Sequence, residues 1–189
     1  MTTVATSKFL EFKSAKSPAG HDWFYAKRTN DASSHDSAVV ITTLVKQNDE
    51  YNFLFLKTRR PPLYAEDKAE FCIESPAGLI GDIDSHETLM ECAKKELLEE
   101  AGLSADKVFV ELLNSSTSAG LSSETLAYIT AIVDKYDVIQ QPVSDGGIIV
   151  ERFLVSVKDV RKYFAEIDMK KYSVAAATVC GVFYALARV

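Results

Sequence analysis

One segment has both ends of a helix written into it, and the rest of the chain must be arranged around it. In "HETLMECAKKELLEEAGL", residues 86–103, Thr88 and Glu91 have the spacing of a capping box at the start. Leu89, Ala93, Leu97 and Ala101 then recur at helical spacing, and Gly102 supplies the stop. A helix with a single apolar face has to lie on another layer. Its flanks change to a period of two, so the layer beneath it is a sheet.

Downstream of the first third of the chain, "SAVVITTLVK" and "YNFLFLKTRR" read as a hairpin around "QNDE". "PPLYAEDKAE" reads as a polar connection to a short strand in "FCIESPAGLI", which Pro76 and Gly78 are expected to end. After the helix, "KVFVELLNS", "ETLAYITAIV" and "GIIVERFLVS" are three more strands. Two helices close the chain, one over residues 158–165 and one starting at about Ser173 as its N-cap. Upstream, residues 8–28 give two short strands around a Ser/Pro/Gly turn, followed by the polar link "TNDASSHDS". The expected organisation is a small N-terminal β unit, 1–36, and an α/β domain, 37–189.

At 189 residues and 47% hydrophobic, the chain can bury a core without disulfides or structural metals. A net charge of -6 with no basic run argues against nucleic acid or a membrane surface as partner. Cys72, Cys92 and Cys180 are far apart and in apolar contexts, so they read as reduced core residues. His21, His35 and His86 show no spacing for a dyad or a zinc site. The N-terminus lacks a signal-peptide core and no stretch is long enough to span a bilayer, so the expected location is the cytoplasm.

On the central helix Glu96, Glu99 and Glu100 stand at i, i+3 and i+4, so their carboxylates leave one face. Each like-charge pair costs an isolated helix about 0.2–0.5 kcal/mol, and the macrodipole disfavours anions near a C-terminus. Lys94 and Lys95 offset part of this, as they would on an ordinary solvated face. A divalent cation offsets more, because Mg²⁺ takes hard oxygens from one or two carboxylates and completes its shell with water and substrate phosphates.

The longer stretch "SPAGLIGDIDSHETLMECAKKELLEEAGL" resembles the Nudix box, with Gly81, Glu87, Glu96, Leu97, Glu99, Glu100, Gly102 and Leu103 at the box spacing. Lys95 stands where the box has arginine. By resemblance to the nucleotide-sugar branch, the expected box glycine is Gly78 of the "PAG" triplet, so the match at Gly81 is read as coincidental and "GDIDSH" as a loop with a three-residue insertion. Further segments, "DWFYAKR", "FLKTRRPPL", "STSAGLSSET" and "SDGGIIVERFLVSVKDV", resemble the ADP-ribose and ADP-sugar pyrophosphatase branch in the same order. Where that branch carries a "SPG" triplet, this chain has Ser118, Ala119 and Gly120.

The resemblance implies a Nudix fold, an α/β/α sandwich around a mixed β-sheet, in a homodimer that exchanges N-terminal β units. It implies Mg²⁺-dependent cleavage of a nucleotide-sugar diphosphate, ADP-ribose first, with Mn²⁺ as the alternative ion and two or more ions bound. Another nucleotide sugar or dinucleotide, or a non-catalytic nucleotide-binding regulatory domain, is the alternative. By the same resemblance Glu96, Glu99, Glu100 and the carbonyl of Ala77 hold metal, and Glu124 is the preferred general base with Glu151 the second candidate. Arg60 contacts phosphate, Trp23 stacks on the base or packs in the dimer, and Arg28 serves phosphate or interface.

Overall fold

The computed structural model describes residues 1–29, 35–136 and 148–189. The "NDASS" of the polar link and the "SDGG" of the resembling segment lie outside the described residues. The N-terminal unit is a three-stranded antiparallel sheet of β1 (Thr2–Thr6), β2 (Leu10–Lys16) and β3 (Asp22–Arg28). Sequence periodicity missed β1: "TTVAT" has no polar and apolar alternation, and all five of its residues are exposed.

The main sheet is built around β4 (Ser37–Gln47) and β5 (Glu50–Thr58), the expected hairpin. A short helix α1 (Pro61–Ala65) forms inside the stretch expected to be an irregular connection, with Pro at its first turn. Then come β6 (Phe71–Glu74), β7 (Ala77–Leu79), α2 (Leu89–Ala101), β8 (Lys107–Ser116), β9 (Thr125–Val133) and β10 (Ile149–Ser156). The chain closes with α3 (Val160–Glu166), β11 (Tyr172–Val174), α4 (Ala176–Ala185) and a 3-10 turn over Leu186–Arg188. Ser173 is therefore a strand residue, not a helix cap; Ala175 precedes α4 without a side-chain cap bond.

The sheet is mixed. Its order is β11-β6-β5-β4-β9-β8, with β10 on the other edge of β5 and β7 beside β4. The parallel pair β4–β9 runs unbroken from Ser37↔Thr125 to Val45↔Val133. On its other edge β4 pairs with β5 only from Thr43 onward, while β5 pairs with β6 over Leu56–Thr58. The two central strands thus splay apart. The chain crosses the gap at Ser75 and Pro76, where the Pro76 carbonyl accepts from Ile41 N–H at 2.8 Å, and continues as β7 along Val40–Ala38. Pro76 does end β6, but Gly78 lies inside β7 rather than ending a strand.

Helix α2 covers one face of the sheet. Ala93, Leu97 and Ala101 of the expected stripe, joined by Cys92, pack with Val39, Ile41, Val45, Leu54 and Ile129, while Leu89 is only partly buried against them. The capping box forms, and Gly102 adopts φ 72 at the C-cap. Helices α3 and α4 cover the opposite face over Leu44, Phe53, Phe55 and Ile73. The result is an α/β/α sandwich. Among the described residues no helix is long and apolar enough to cross a membrane.

Candidate active site

The splay of β4 from β5 opens a notch on the α2 face, and the box places its carboxylates there. Glu96 is 8% exposed and lies directly over Gly78 of β7. Desolvation lifts its pKa to about 7; Lys95 opposes this, while Glu99 and Asp82 add to it. Glu100 is likewise pushed up to about 7 by burial, against a hydrogen bond from Ala77 N–H to its Oε2 at 2.9 Å. Glu99, one turn beyond Glu96, is partly buried.

A buried and a partly buried carboxylate that share one notch and resist ionising are short of positive charge. A hard divalent cation supplies it, so the donor set fits Mg²⁺ or Mn²⁺. Among the described residues no three acidic side chains form a ready-made cage.

Lys95 lies beside the notch, with its Nζ 2.9 Å from Asp82 Oδ1, 2.9 Å from Glu87 Oε1 and 3.5 Å from Glu96 Oε1. Burial works against its charge, but the hydrogen bonds to Asp82 and Glu87 outweigh it and raise its pKa. Gly81 adopts φ 73 and donates its N–H to Glu87 Oε2 at 3.0 Å. Gly81 is therefore a structural participant in the loop before α2, while Gly78 of the "PAG" triplet lies against Glu96.

Arg60 reaches the notch from the end of β5. Its Nε donates to Glu74 Oε2 at 2.8 Å, the same oxygen that accepts from Thr58 Oγ1 at 2.7 Å, and both Arg60 and Glu74 influence the charge of Glu100. Arg152 of β10 donates to the Glu100 backbone carbonyl, placing a cation at the C-terminus of α2, where the dipole is negative. Sequence reasoning missed Glu74, Arg152 and Asp82.

Glu124 lies apart from this group. It precedes Thr125, which pairs with Ser37, whereas Ala77 pairs with Val40. Three positions along β4 separate them by about 10 Å. Glu124 is ion-paired to Arg28, and the loop before it is fastened to β3: Ala26 N–H donates to the Leu121 carbonyl at 2.8 Å, and Trp23 Nε1 donates to the Gly120 carbonyl at 3.0 Å. Trp23 is 53% exposed. Glu151 pairs with Lys57 at 2.8 Å on the strand face opposite Arg152, toward α3.

The cysteines are free; Cys72 and Cys92 are buried, which pushes each thiol up to about 12, and Cys180 is only partly buried.

This architecture, an acidic helix closing the notch of a splayed mixed sheet, is a known one. An ADP compounds hydrolase of known structure superimposes with a TM-score of 0.62 at 20% identity, over 99% of this chain and 89% of its own. The Nudix domain of Shewanella oneidensis NrtR, complexed with ADP-ribose, gives a TM-score of 0.57 at 16% identity, over 80% of this chain and 86% of its own. The fold is the Nudix fold. In sequence, an uncharacterised Nudix hydrolase of Schizosaccharomyces pombe is 29% identical over 161 residues, 80% of this chain and 71% of that protein. No family model matches the chain. The chain thus has the Nudix fold and is similar in sequence to a Nudix hydrolase.

Proposed function

We propose that the chain hydrolyses the diphosphate bond of a nucleoside diphosphate sugar, ADP-ribose to AMP and ribose 5-phosphate, with two or more Mg²⁺ ions and Mn²⁺ as a substitute. The observation that carries this reading is the convergence of Glu96 and Glu100, both lifted to about 7, in the notch beside Arg60. Two structural relatives support the nucleotide, one named for ADP compounds and the other holding ADP-ribose.

Bound cations neutralise diphosphate oxygens and lower the pKa of a coordinated water. Glu96, Glu99 and Glu100 hold them, with the Ala77 carbonyl as a further ligand, and Ala77 N–H fixes the rotamer of Glu100. Arg60 binds phosphate with the part of its guanidinium that Glu74 leaves free, in the geometry a planar fork provides. Glu124 takes the proton of the attacking water once the loop before it closes on substrate and exchanges its pairing with Arg28; Glu151 is the second candidate for this role. Trp23 offers its exposed face to the base.

The chain works as a cytoplasmic homodimer, with unit 1–36 against the partner. Leu10, Phe12 and Phe24 share one face of its sheet, with Phe12 and Phe24 stacked at 5.6 Å. All three are more than 40% exposed, an apolar patch that calls for a cover.

The test is product release from ADP-ribose, other nucleotide sugars and dinucleotides, with Mg²⁺ and with chelator, resolved by chromatography. Chelator-sensitive AMP from ADP-ribose is the expected result. Cleavage of another substrate moves the specificity, and silence across the panel with binding retained would favour a regulatory nucleotide-binding domain.

A further inference from the structure

The sequence departs from the box at position 95, where a lysine replaces arginine, and the structure joins that lysine to the loop between Gly78 and Glu87. An ammonium carries three N–H donors on a flexible stem and has no acceptor. Around Lys95 Nζ stand three carboxylates: Asp82 from the loop, Glu87 from the approach to α2, and Glu96 from the helix itself. An arginine could engage two carboxylates through one rigid planar fork and would need no third. A lysine is a point charge whose place is set by whatever surrounds it.

We infer that Asp82 is a positioning residue for Glu96, acting through Lys95, and that it takes over the orienting work an arginine fork would do. This rests on the reading of Glu96 as a cation ligand. The distances show how the device works. Asp82 and Glu87 hold the ammonium at 2.9 Å each, leaving Glu96 the longest contact at 3.5 Å, so the carboxylate is oriented without being neutralised. Gly81 sets the geometry, since its φ of 73 turns the chain toward α2 while its N–H fixes the other oxygen of Glu87. Without Asp82 the third donor is unmatched. The ammonium then moves onto Glu96 and competes with the cation for the same oxygen.

The test is Mn²⁺ binding to the full chain, followed by electron paramagnetic resonance with Mg²⁺ as competitor, for the wild type, Asp82→Asn, Lys95→Arg and the double variant. Loss of such an outer partner weakens metal affinity by about 10–100-fold, and Asp82→Asn is expected in that range. In the double variant the arginine fork needs only Glu87 and Glu96, so affinity and turnover return toward the wild type. Wild-type affinity in Asp82→Asn, or a double variant as weak as the single, overturns the inference. Asp82→Ser repeats the cycle if the asparagine variant does not fold. A wild type that binds no Mn²⁺ overturns the ligand reading itself and this inference with it, so the two failures are told apart.

Discussion

A Cβ placed on Gly78 would lie 2.1 Å from Glu96 Cδ, far inside non-bonded contact, so the backbone of β7 and the Glu96 carboxylate adjoin only because residue 78 has no side chain. The obstructed atoms are the far end of a flexible side chain, so Gly78→Ala should displace Glu96 rather than unfold the protein. We expect a thermal midpoint close to wild type and a drop of about 10–100-fold in metal affinity and turnover. Full activity in Gly78→Ala would show that Glu96 is not needed where the structure places it.

Glu100 accepts a hydrogen bond from Ala77 N–H, and glutamine at position 100 can keep that bond through its amide oxygen while losing the charge. Glu100→Gln should therefore fold normally and fail in cation binding. Losing about 3–5 kcal/mol of stabilisation of the reacting diphosphate corresponds to two to four orders of magnitude in rate. A bound ion at a hundred times its dissociation constant stabilises a fold by about 2.7 kcal/mol. Differential scanning calorimetry should show that Mg²⁺ raises the midpoint of the wild type and leaves Glu100→Gln unchanged.

The two candidate bases are separated by their surroundings. Glu151 is held by Lys57 on the α3 face of the sheet, whereas Arg152, the next residue, points to α2. Glu151→Gln is thus expected to leave turnover near wild type. Glu124→Gln should lower kcat by about a hundredfold or more, with little change in KM. Steady-state kinetics on both variants decide it, and a loss confined to Glu151→Gln would transfer the role.

Much of this was legible because the chemistry constrains one continuous segment. Thr88, Glu91, Glu96, Glu99, Glu100 and Gly102 all sit on or beside a single helix, where sequence spacing is spatial spacing. Glu74, Arg152 and Asp82 were not legible, because each reaches α2 only through the sheet order or the path of a loop. A weak sign existed for two of them: Glu74 ends an apolar strand just before "SPAG", and Arg152 is a charge within "VERFLV". Ser173 misled because a serine before an apolar run looks like a cap, while the parallel register of β11 with β6 claims it for the sheet.

Arg188 anchors the C-terminal turn to β8, donating to Glu111 through Nε at 2.9 Å and Nη2 at 2.8 Å, with its guanidinium 4.4 Å from the centre of the Phe109 ring. The hydrogen bonds from Arg188 hold the Glu111 carboxyl below its ordinary value of 4.5. A depressed carboxyl pKa stabilises the fold above the unfolded value and loses that stabilisation as pH falls through the folded one. Arg188→Met should lower the thermal midpoint at pH 7, and the gap from wild type should narrow as the pH drops below about 4.5. A gap that stays constant over that range would assign the effect to packing on Phe109 alone.

Arg60 and Glu74 form the last pair that kinetics can separate. One Glu74 oxygen accepts from both Arg60 Nε and Thr58 Oγ1, which fixes the inner edge of the guanidinium and leaves its outer nitrogens for a ligand. Glu74→Gln keeps the shape but removes the charge that holds Arg60, so phosphate binding should weaken while the cation ligands stay in place. We expect KM to rise by about tenfold, the scale of one charged hydrogen bond, with kcat changed much less. Arg60→Met should raise KM by at least as much. Because Glu74 acts through Arg60, the double variant should be no worse than Arg60→Met, the non-additivity expected of residues in contact. Additive losses in KM, or a fall in kcat with KM unchanged, would instead place Glu74 among the groups that act directly on Glu100.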